Sequence, residues 1–251
     1  IAGAREALGW PHAPFEIPDN VAAAWHAVGA RGAATSAAWE ERLDAMEQDD
    51  RAAFDRAMAG DLPASIIGAM SDYRRKLAED KPQVASRAAS GHALEVINAE
   101  VPEMVGGSAD LTGSNNTLTA DLGFVSSDDF SGRYINYGVR EHAMAAAMNG
   151  LALHGGFIPY GGTFMVFSDY CRGAMRLSAL MGCRAVYVLT HDSIGLGEDG
   201  PTHQPVEHMA ALRAMPNLYV FRPADAMETA ECWEMALAQK QSPSAMILSR
   251  Q

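Results

Sequence analysis

Glu141 and three aromatic residues are the side chains best suited to bind a flat, basic heterocycle. Glu141 opens the small-residue segment EHAMAAAMNGLAL, directly after the strand-like run RYINYG. Phe164, Phe167 and Tyr170 follow at a spacing that places them on one helical face or on the turn entering it. A buried carboxylate can share a proton with a ring nitrogen while aromatic rings hold the heterocycle flat. A helix N-terminus alone would also explain Glu141, and an aromatic stripe is often core, so these simpler interpretations stay open.

A second group of polar side chains lies in the run THDSIGLGEDGPTHQP, which follows the strand-like segment RAVYVL. It contains His191, Asp199 and His203. The run includes a literal GxGxxG, but its acidic residues would face a pyrophosphate and its prolines would break the following helix. Zinc ligation by the two histidines lacks an H-x-x-x-H pattern or a cysteine partner. What remains is a loop suited to holding hydroxyls and shuttling protons.

Two arginines and a Gly-rich loop are candidates for binding an anion. Arg87 opens a helix in VASRAAS, and Arg250 follows the last strand in MILSRQ. The loop GGSADLTGSN supplies Asp110, Ser114 and Asn115. Each arginine alone is typical of a solvated surface charge. Because both lie at the ends of predicted elements, we expect them to converge with Ser114 on a sugar phosphate.

Positioning these side chains requires an α/β fold. From residue 83 onward, short β-rich segments alternate with helices, which predicts a parallel sheet with helices on both faces. In such sheets ligands bind beyond the carboxyl ends of the strands, where the candidate residues lie. The predicted strands lie near residues 104–106, 134–136, 157–159, 184–190, 218–221 and 245–248. The predicted helices lie near residues 84–99, 140–153, 168–181, 206–214 and 225–239.

Residues 1–82 show a different sequence pattern, without the alternation of β-rich and helical segments. We expect residues 1–82 to form a mainly helical interdomain linker, and residues 83–251 to form the α/β domain. Ser36 is suited to cap a helix that ends at Gly60. A second apolar stripe occupies residues 66–77 at helical spacing.

Composition excludes several classes of partner. The 251 residues carry a net charge of −12, with 19 basic against 31 acidic residues, which argues against nucleic acid or an anionic membrane surface. The three cysteines form no CxxC pair and fit reduced thiols in a cytoplasmic protein. No apolar run approaches the roughly 20 residues of a membrane span, and no signal peptide is visible.

Taken together, the motifs resemble those of the transketolase family. GGSADLTGSN, INYGVREH, the Phe-Met-Val-Phe-x-x-Tyr pattern, THDSIGLGEDGPTHQPVEH and ILSRQ occur in that family's order and spacing. They cover roughly residues 83–251, the family's middle, pyrimidine-binding domain. The run ALGWPHAPFEIP resembles the segment that leaves the family's first, pyrophosphate-binding domain. One departure is Gly113, where the family commonly has proline.

The resemblance implies a role for each cofactor-binding candidate. Glu141 would hydrogen-bond ring nitrogen N1′ of thiamine diphosphate and promote its imino tautomer, so that the exocyclic nitrogen can take a proton from the thiazolium carbon. Phe164, Phe167 and Tyr170 would line the aminopyrimidine pocket, with Phe167 as the stacking partner. Asp110 would lie beside the cofactor.

The resemblance also implies a reaction and a set of substrate-binding residues. The activity would be transfer of a two-carbon ketol unit from a ketose phosphate to an aldose phosphate, as in the pentose phosphate pathway and the Calvin cycle. Asp199 and His203 would hold sugar hydroxyls or the reacting carbonyl end, with His203 as a second catalytic residue. The phosphate would bind to four residues: Arg87, Ser114, His191 and Arg250.

Parts of the family's site are absent from this chain. In the family, a GDG motif and an asparagine about thirty residues after it hold the diphosphate and the metal, and this chain lacks that motif. Mg²⁺ or Ca²⁺ would therefore bind to the pyrophosphate domain, and the active enzyme would be a homodimer with its site at the subunit interface. We expect these residues to be a fragment of a longer enzyme.

Other functions remain open. Deoxyxylulose-phosphate synthase shares a DGPTH segment, and dihydroxyacetone synthase is a further thiamine enzyme to consider. A non-catalytic dimerisation module of the same fold is the alternative from a different class. A mere scaffold has no use for Glu141, His191, Asp199, His203 and both arginines, so their retention argues against that alternative.

Overall fold

The computed structural model describes all residues, Ile1–Gln251, and divides them into the units Ile1–Ala53 and Phe54–Gln251. In the first unit three helices bury none of their residues: α1 (Ala2–Ala7), α2 (Asp19–Ala30) and α3 (Ala33–Asp44). A fourth helix, α4, spans Gln48–Met58. The predicted boundary between residues 82 and 83 stays a prediction.

The single helix expected after Ser36 is wrong. Helix α3 begins at Ala33, and the chain leaves helical structure between Asp44 and Gln48 before α4. Ser36 cannot act as the cap because its amide already donates to the carbonyl of Gly32 inside the helix. The predicted end is confirmed, since α4 stops at Met58 and Gly60 has a positive φ of 69°.

Helix α5 (Ser65–Asp80) carries the second predicted stripe. Ile66, Met70 and Leu77 are buried along one face, which confirms the helical spacing of the apolar residues. The helix ends at Lys81, which adopts the left-handed conformation ahead of a proline. None of the helices combines the length and apolar composition of a membrane span.

Six parallel strands form one sheet in the order β2-β1-β3-β4-β6-β5, which confirms the predicted fold class. The strands are β1 (Met104–Ser108), β2 (Tyr134–Asn136), β3 (Ile158–Phe164), β4 (Val186–Thr190), β5 (Tyr219–Phe221) and β6 (Ser244–Leu248). The remaining helices are α6 (Ser86–Glu100), α7 (Thr112–Asn115), α8 (Glu141–His154), α9 (Ser168–Met181), α10 (His208–Arg213) and α11 (Ala226–Ala238).

Both faces of the sheet are buried, as alternation along β4 shows. Val186 and Val188 pack into the layer formed with α5, α6 and α11, whereas Tyr187 and Leu189 pack into the layer formed with α8 and α9. Each fully buried aliphatic side chain of this kind stabilises the fold by about 1.5–3 kcal/mol. Trp233 lies in the first layer and donates from its indole nitrogen to Ser90 Oγ at 2.9 Å.

Strand β3 is longer than the sequence predicted. The strand predicted near residues 157–159 continues through Gly161 and Gly162 to Phe164. The two glycines are required there by close packing: a Cβ at Gly161 would lie 2.6 Å from Met148 Sδ, and one at Gly162 would lie 2.9 Å from Asn115 Oδ1. The extension carries Thr163 to the carboxyl end of the strand.

Candidate active site

The candidate residues gather at the carboxyl edge of the sheet. Asp110 follows β1, Phe164 ends β3, His191 follows β4, and Arg250 lies beyond β6. Glu141 is the first residue of α8, which follows β2. Because all six strands are parallel, these positions share one edge of the sheet.

Glu141 is a buried carboxylate with a single protein partner. Its residue is 6% exposed, at the positive N-terminal end of α8. Thr163 Oγ1 donates to Glu141 Oε1 at 3.2 Å, and no other hydrogen bond or ion pair engages this side chain. The second carboxylate oxygen is therefore available to a ligand.

A pocket of about 570 Å³ opens beside this carboxylate. Its lining consists of Val139, Arg140, Glu141, His142, Phe167 and Tyr170. Glu141 is its only acidic group, and Phe167 and Tyr170 are its aromatic rings. The pocket thus combines a hydrogen-bond acceptor with two flat apolar surfaces, which suits a planar ring with a basic nitrogen.

The three predicted aromatic residues form a row, but they do not share a helix. Phe164 ends β3, Phe167 ends a 3₁₀ helix (Met165–Phe167), and Tyr170 lies in the first turn of α9. The rings of Phe164 and Phe167 are nearly parallel, with centroids 5.7 Å apart and an interplanar angle of 9°. Of the two predicted alternatives, a shared helical face is wrong because the chain changes conformation twice within this segment, whereas Phe167 does lie in the turn that enters α9.

The members of the row differ in exposure. Tyr170 is 68% exposed, Phe167 is half-buried, and Phe164 is buried. Phe164 does not line the pocket, because Phe167 covers one side of it and His191 stacks on it with centroids 3.7 Å apart. Phe164 therefore supports the pocket from behind.

His203 reaches the edge of the same row. It ends a short 3₁₀ helix (Pro201–His203) and lies edge-on to Phe167, with ring centroids 5.2 Å apart. Its Nδ1 lies 2.8 Å from Thr202 Oγ1. The structure thus brings together residues from β3, the 3₁₀ helix Met165–Phe167 and the loop after β4.

His191 is buried and electrically neutral at neutral pH. It has a positive φ of 59°, and its Nδ1 lies 2.9 Å from Thr190 Oγ1. Burial, and then the positive charge of Arg87, lower the pKa of His191 to about 4, although Asp199 acts in the opposite direction. The imidazole therefore carries one proton rather than two at pH 7.

Two arginines are concentrated next to His191 despite the acidic composition of the chain. Arg87 Nη1 donates to the carbonyl of Ser114 at 2.9 Å, and the amide of Arg87 donates to the carbonyl of Ser249. Burial, and then the charge of Arg250, lower the pKa of Arg87. The structure therefore brings four predicted residues into one neighbourhood: Arg87, Ser114, His191 and Arg250.

Arg250 already holds an anion from its own chain. Its guanidinium donates to both carboxylate oxygens of Glu198, at 2.8 Å and 3.3 Å, and to the carbonyl of Leu196 at 2.5 Å. The hydrogen bond from Arg250 lowers the pKa of Glu198 to about 2. Bidentate carboxylate binding of this kind uses the same donors that would bind a phosphate.

The two predicted aspartates, Asp110 and Asp199, make fewer contacts with the other candidate residues. Asp110 has a positive φ of 64° and is exposed, and no hydrogen bond or ion pair joins its side chain to another candidate. Asp199 is exposed and acts on His191 through its charge. Both lie at the sheet edge, but contacts within this chain do not position their carboxylates.

Sequence reasoning missed Thr163 and Thr190, and it did not give Asn115 a role. Thr163 contacts Glu141 across 22 positions, and Asn115 Nδ2 donates to Thr190 Oγ1 across 75 positions at 2.7 Å. The only local signals were the place of Thr163 after two glycines and that of Asn115 next to Ser114. Separations this long are not readable from periodicity.

Comparisons of the sequence with family models and with curated proteins indicate the same family. The family model "Transketolase, pyrimidine binding domain" matches residues 82–251, and "Transketolase, thiamine diphosphate binding domain" matches residues 1–63. A transketolase of Sinorhizobium medicae is 60% identical over 251 residues, covering 100% of this chain and 36% of the relative.

Comparison with solved structures indicates the same family. A transketolase from Leishmania mexicana has a TM-score of 0.86 and 46% identity, covering 96% of this chain and 36% of that one. A transketolase from Pichia stipitis in complex with sedoheptulose 7-phosphate has a TM-score of 0.86 and 42% identity, covering 95% and 36%. The chain thus spans little more than a third of the length of the relatives it matches.

Proposed function

The chain belongs to the transketolase family, and on that premise we propose that it forms the pyrimidine-binding half of a thiamine diphosphate site. The whole enzyme would transfer a two-carbon ketol unit from a ketose phosphate to an aldose phosphate. Such a step serves the pentose phosphate pathway or the Calvin cycle. The proposal includes a cytoplasmic homodimer in which the site lies at the subunit interface.

The observation that carries this proposal is the environment of Glu141. Its carboxylate is buried, receives one hydrogen bond from Thr163, and lines a pocket shared with Phe167 and Tyr170. Its second oxygen has no protein partner and can therefore accept a hydrogen bond from a ligand in this pocket. An aminopyrimidine ring, with a basic nitrogen and two flat faces, fits this pocket.

Thiamine diphosphate, when bound, supplies the carbanion chemistry of ketol transfer. Glu141 would hold a proton at ring nitrogen N1′, while the hydroxyl of Thr163 orients its other oxygen. Phe167 would pack against one face of the ring, with Phe164 supporting Phe167 from behind. Tyr170 would complete the apolar wall.

His203 and the two aspartates would act around the bound ring. His203 lies edge-on to Phe167, so it is close enough to the proposed ring position to exchange protons with the reacting carbonyl end of a sugar. Asp199, which lies in the same loop as His203, would accept hydrogen bonds from sugar hydroxyls. Asp110, exposed at the end of β1, would lie beside the cofactor.

The phosphate would bind where the cations gather. Arg87, His191 and Arg250 influence one another electrostatically, and Arg87 holds the backbone of Ser114. A phosphate would displace Glu198 from Arg250, because both anions use the same guanidinium donors. The sugar phosphate in the Pichia stipitis complex supports this class of substrate.

We assign Mg²⁺ or Ca²⁺ and the diphosphate to the pyrophosphate domain of the whole enzyme. The chain contains no GDG motif, which in the family holds the diphosphate and the metal. Its contribution would be confined to the pyrimidine ring and the sugar.

The test is a substrate comparison with the full-length enzyme loaded with thiamine diphosphate and Mg²⁺. We expect turnover with xylulose 5-phosphate plus ribose 5-phosphate and none with pyruvate plus glyceraldehyde 3-phosphate. The reverse result would assign the enzyme to deoxyxylulose-phosphate synthases. Transfer to formaldehyde would indicate a dihydroxyacetone synthase. No cofactor binding and no turnover with any pair would support a non-catalytic module.

A further inference from the structure

A buried chain of hydrogen bonds runs from the loop after β1 to the imidazole of His191. The amide of Leu111 donates to Ser108 Oγ at 3.0 Å, and Ser108 Oγ lies 3.0 Å from Asn115 Oδ1 and 3.1 Å from the carbonyl of Gly162. Because the amide of Ala109 already donates to that carbonyl, Asn115 Oδ1 is the acceptor to which the Ser108 hydroxyl donates. Asn115 Nδ2 donates to Thr190 Oγ1 at 2.7 Å, which lies 2.9 Å from His191 Nδ1. Ser108, Asn115, Thr190 and His191 are all at most 2% exposed.

The order of donors sets where the protons lie. Asn115 Nδ2 donates to Thr190 Oγ1, and the one other hydrogen-bond partner of this hydroxyl is Nδ1 of His191. Because the hydroxyl has no other acceptor, its single proton goes to Nδ1, which therefore accepts a hydrogen bond. A neutral imidazole whose Nδ1 accepts carries its proton on Nε2.

We propose that Asn115 and Thr190 are positioning residues that hold His191 as its neutral Nε2–H tautomer, so that the ring presents an N–H donor to the substrate phosphate. The inference rests on the proposed function only in naming the phosphate as the acceptor. Stacking on Phe164 fixes the plane of the ring, and the hydrogen bond from Thr190 fixes its rotation within that plane.

The surrounding charges favour such a donor. Arg87 and Arg250 place positive charge near His191, whereas Asp199 opposes them and Glu198 pairs with Arg250. An imidazolium would add a third cation beside these two partly buried arginines, whereas a neutral N–H adds a hydrogen bond without charge. An imidazole that presented its lone pair would repel a phosphate oxygen instead.

Solid-state ¹⁵N NMR of the full-length enzyme labelled with [¹⁵N]histidine tests the tautomer directly. The His191 signals are assigned by their loss in His191→Gln. At pH 7 we expect an unprotonated Nδ1 and a protonated Nε2. A protonated Nδ1 in the wild type would overturn the inference.

Two variants test the hydrogen-bond chain. Asn115→Asp replaces the donating amide by a carboxylate that accepts the Thr190 proton, so Nδ1 must become protonated and the pattern inverts. Thr190→Val removes the hydroxyl, and we expect mixed tautomers, whereas Thr190→Ser keeps the hydroxyl and the wild-type pattern. An unchanged pattern in both Asn115→Asp and Thr190→Val would exclude a positioning role.

Kinetics separates this inference from the proposed function. If His191 donates to the phosphate, tautomer inversion should raise KM for phosphorylated sugars about tenfold, with little change for non-phosphorylated ones. Tautomer inversion seen by NMR without that KM change would support the hydrogen-bond chain and contradict the phosphate-binding role of His191. A change in KM without tautomer inversion would contradict the role of the hydrogen-bond chain.

Discussion

Thr163 Oγ1 donates a hydrogen bond to Glu141 Oε1 at 3.2 Å, and this contact joins the end of β3 to the start of α8. Both residues are buried. The contact holds one carboxylate oxygen in place and leaves the other directed to the pocket that Phe167 and Tyr170 line. The candidate active site is thereby organised around a carboxylate whose orientation is set by a neighbouring strand.

Replacing Thr163 by valine should weaken cofactor activation without unfolding the enzyme. Valine keeps the shape of the side chain but removes the donor to a charged group, which typically contributes about 1.5–3 kcal/mol. We expect kcat to fall about ten- to a hundredfold, measured in the full-length enzyme. Thr163→Ser should restore most of the activity, and equal losses in both variants would show that packing, not the hydroxyl, matters.

Glu141→Gln should abolish cofactor activation. Glutamine is nearly isosteric, but it cannot share a proton with a ring nitrogen in the same way. We expect turnover to fall by about 10²–10⁴-fold, the range typical of a lost proton-transfer group. Circular dichroism should show an unchanged fold, and turnover close to that of the wild type would refute the role of Glu141.

Arg250→Ala should act on the substrate rather than on the cofactor. Loss of a charge-assisted hydrogen bond predicts a rise in KM for phosphorylated sugars of about ten- to a hundredfold. Non-phosphorylated acceptors provide the control, since they lack the group that Arg250 would bind. An equal rise for both kinds of acceptor would contradict the phosphate role.

Glu198→Gln should have the opposite effect. Glu198 occupies the guanidinium of Arg250, so removing its charge removes a competitor of the phosphate. Because exposed ion pairs are weak, we expect KM for phosphorylated sugars to fall only about two- to fivefold. Steady-state kinetics at low ionic strength is the measurement. A rise in KM would mean that Glu198 holds Arg250 ready for the substrate.

His191 should make stability depend on pH in a defined window. Its pKa is about 4 in the folded protein against 6.5 ordinarily, so between these values the unfolded chain binds the proton first. The contribution to stability is complete above pH 6.5 and is lost as the pH falls towards 4. Urea unfolding of the wild type and of His191→Gln at pH 7 and pH 5 should show the larger pH-dependent loss in the wild type.

Much of this architecture follows from local patterns. Alternating β-rich and helical segments predicted the parallel sheet, and the segment after RYINYG predicted Glu141 at the start of α8. The places of Arg87 and Arg250 at the ends of predicted elements suggested that they would converge with Ser114, and the family resemblance added His191 to this group. The sheet elements and the start of α8 depend on interactions between near neighbours in the chain, which a sequence displays directly.

Other features depended on how the elements pack. The sequence could not show that Gly161 and Gly162 continue β3 beneath α8, nor that Phe164 would be covered by His191. It could not pair Thr163 with Glu141 or connect Asn115 through Thr190 to His191. Residue types and short-range spacing determined the elements and the chemistry available at their ends. Strand order and close packing alone decided which donor meets which acceptor, because those contacts join residues far apart in the chain.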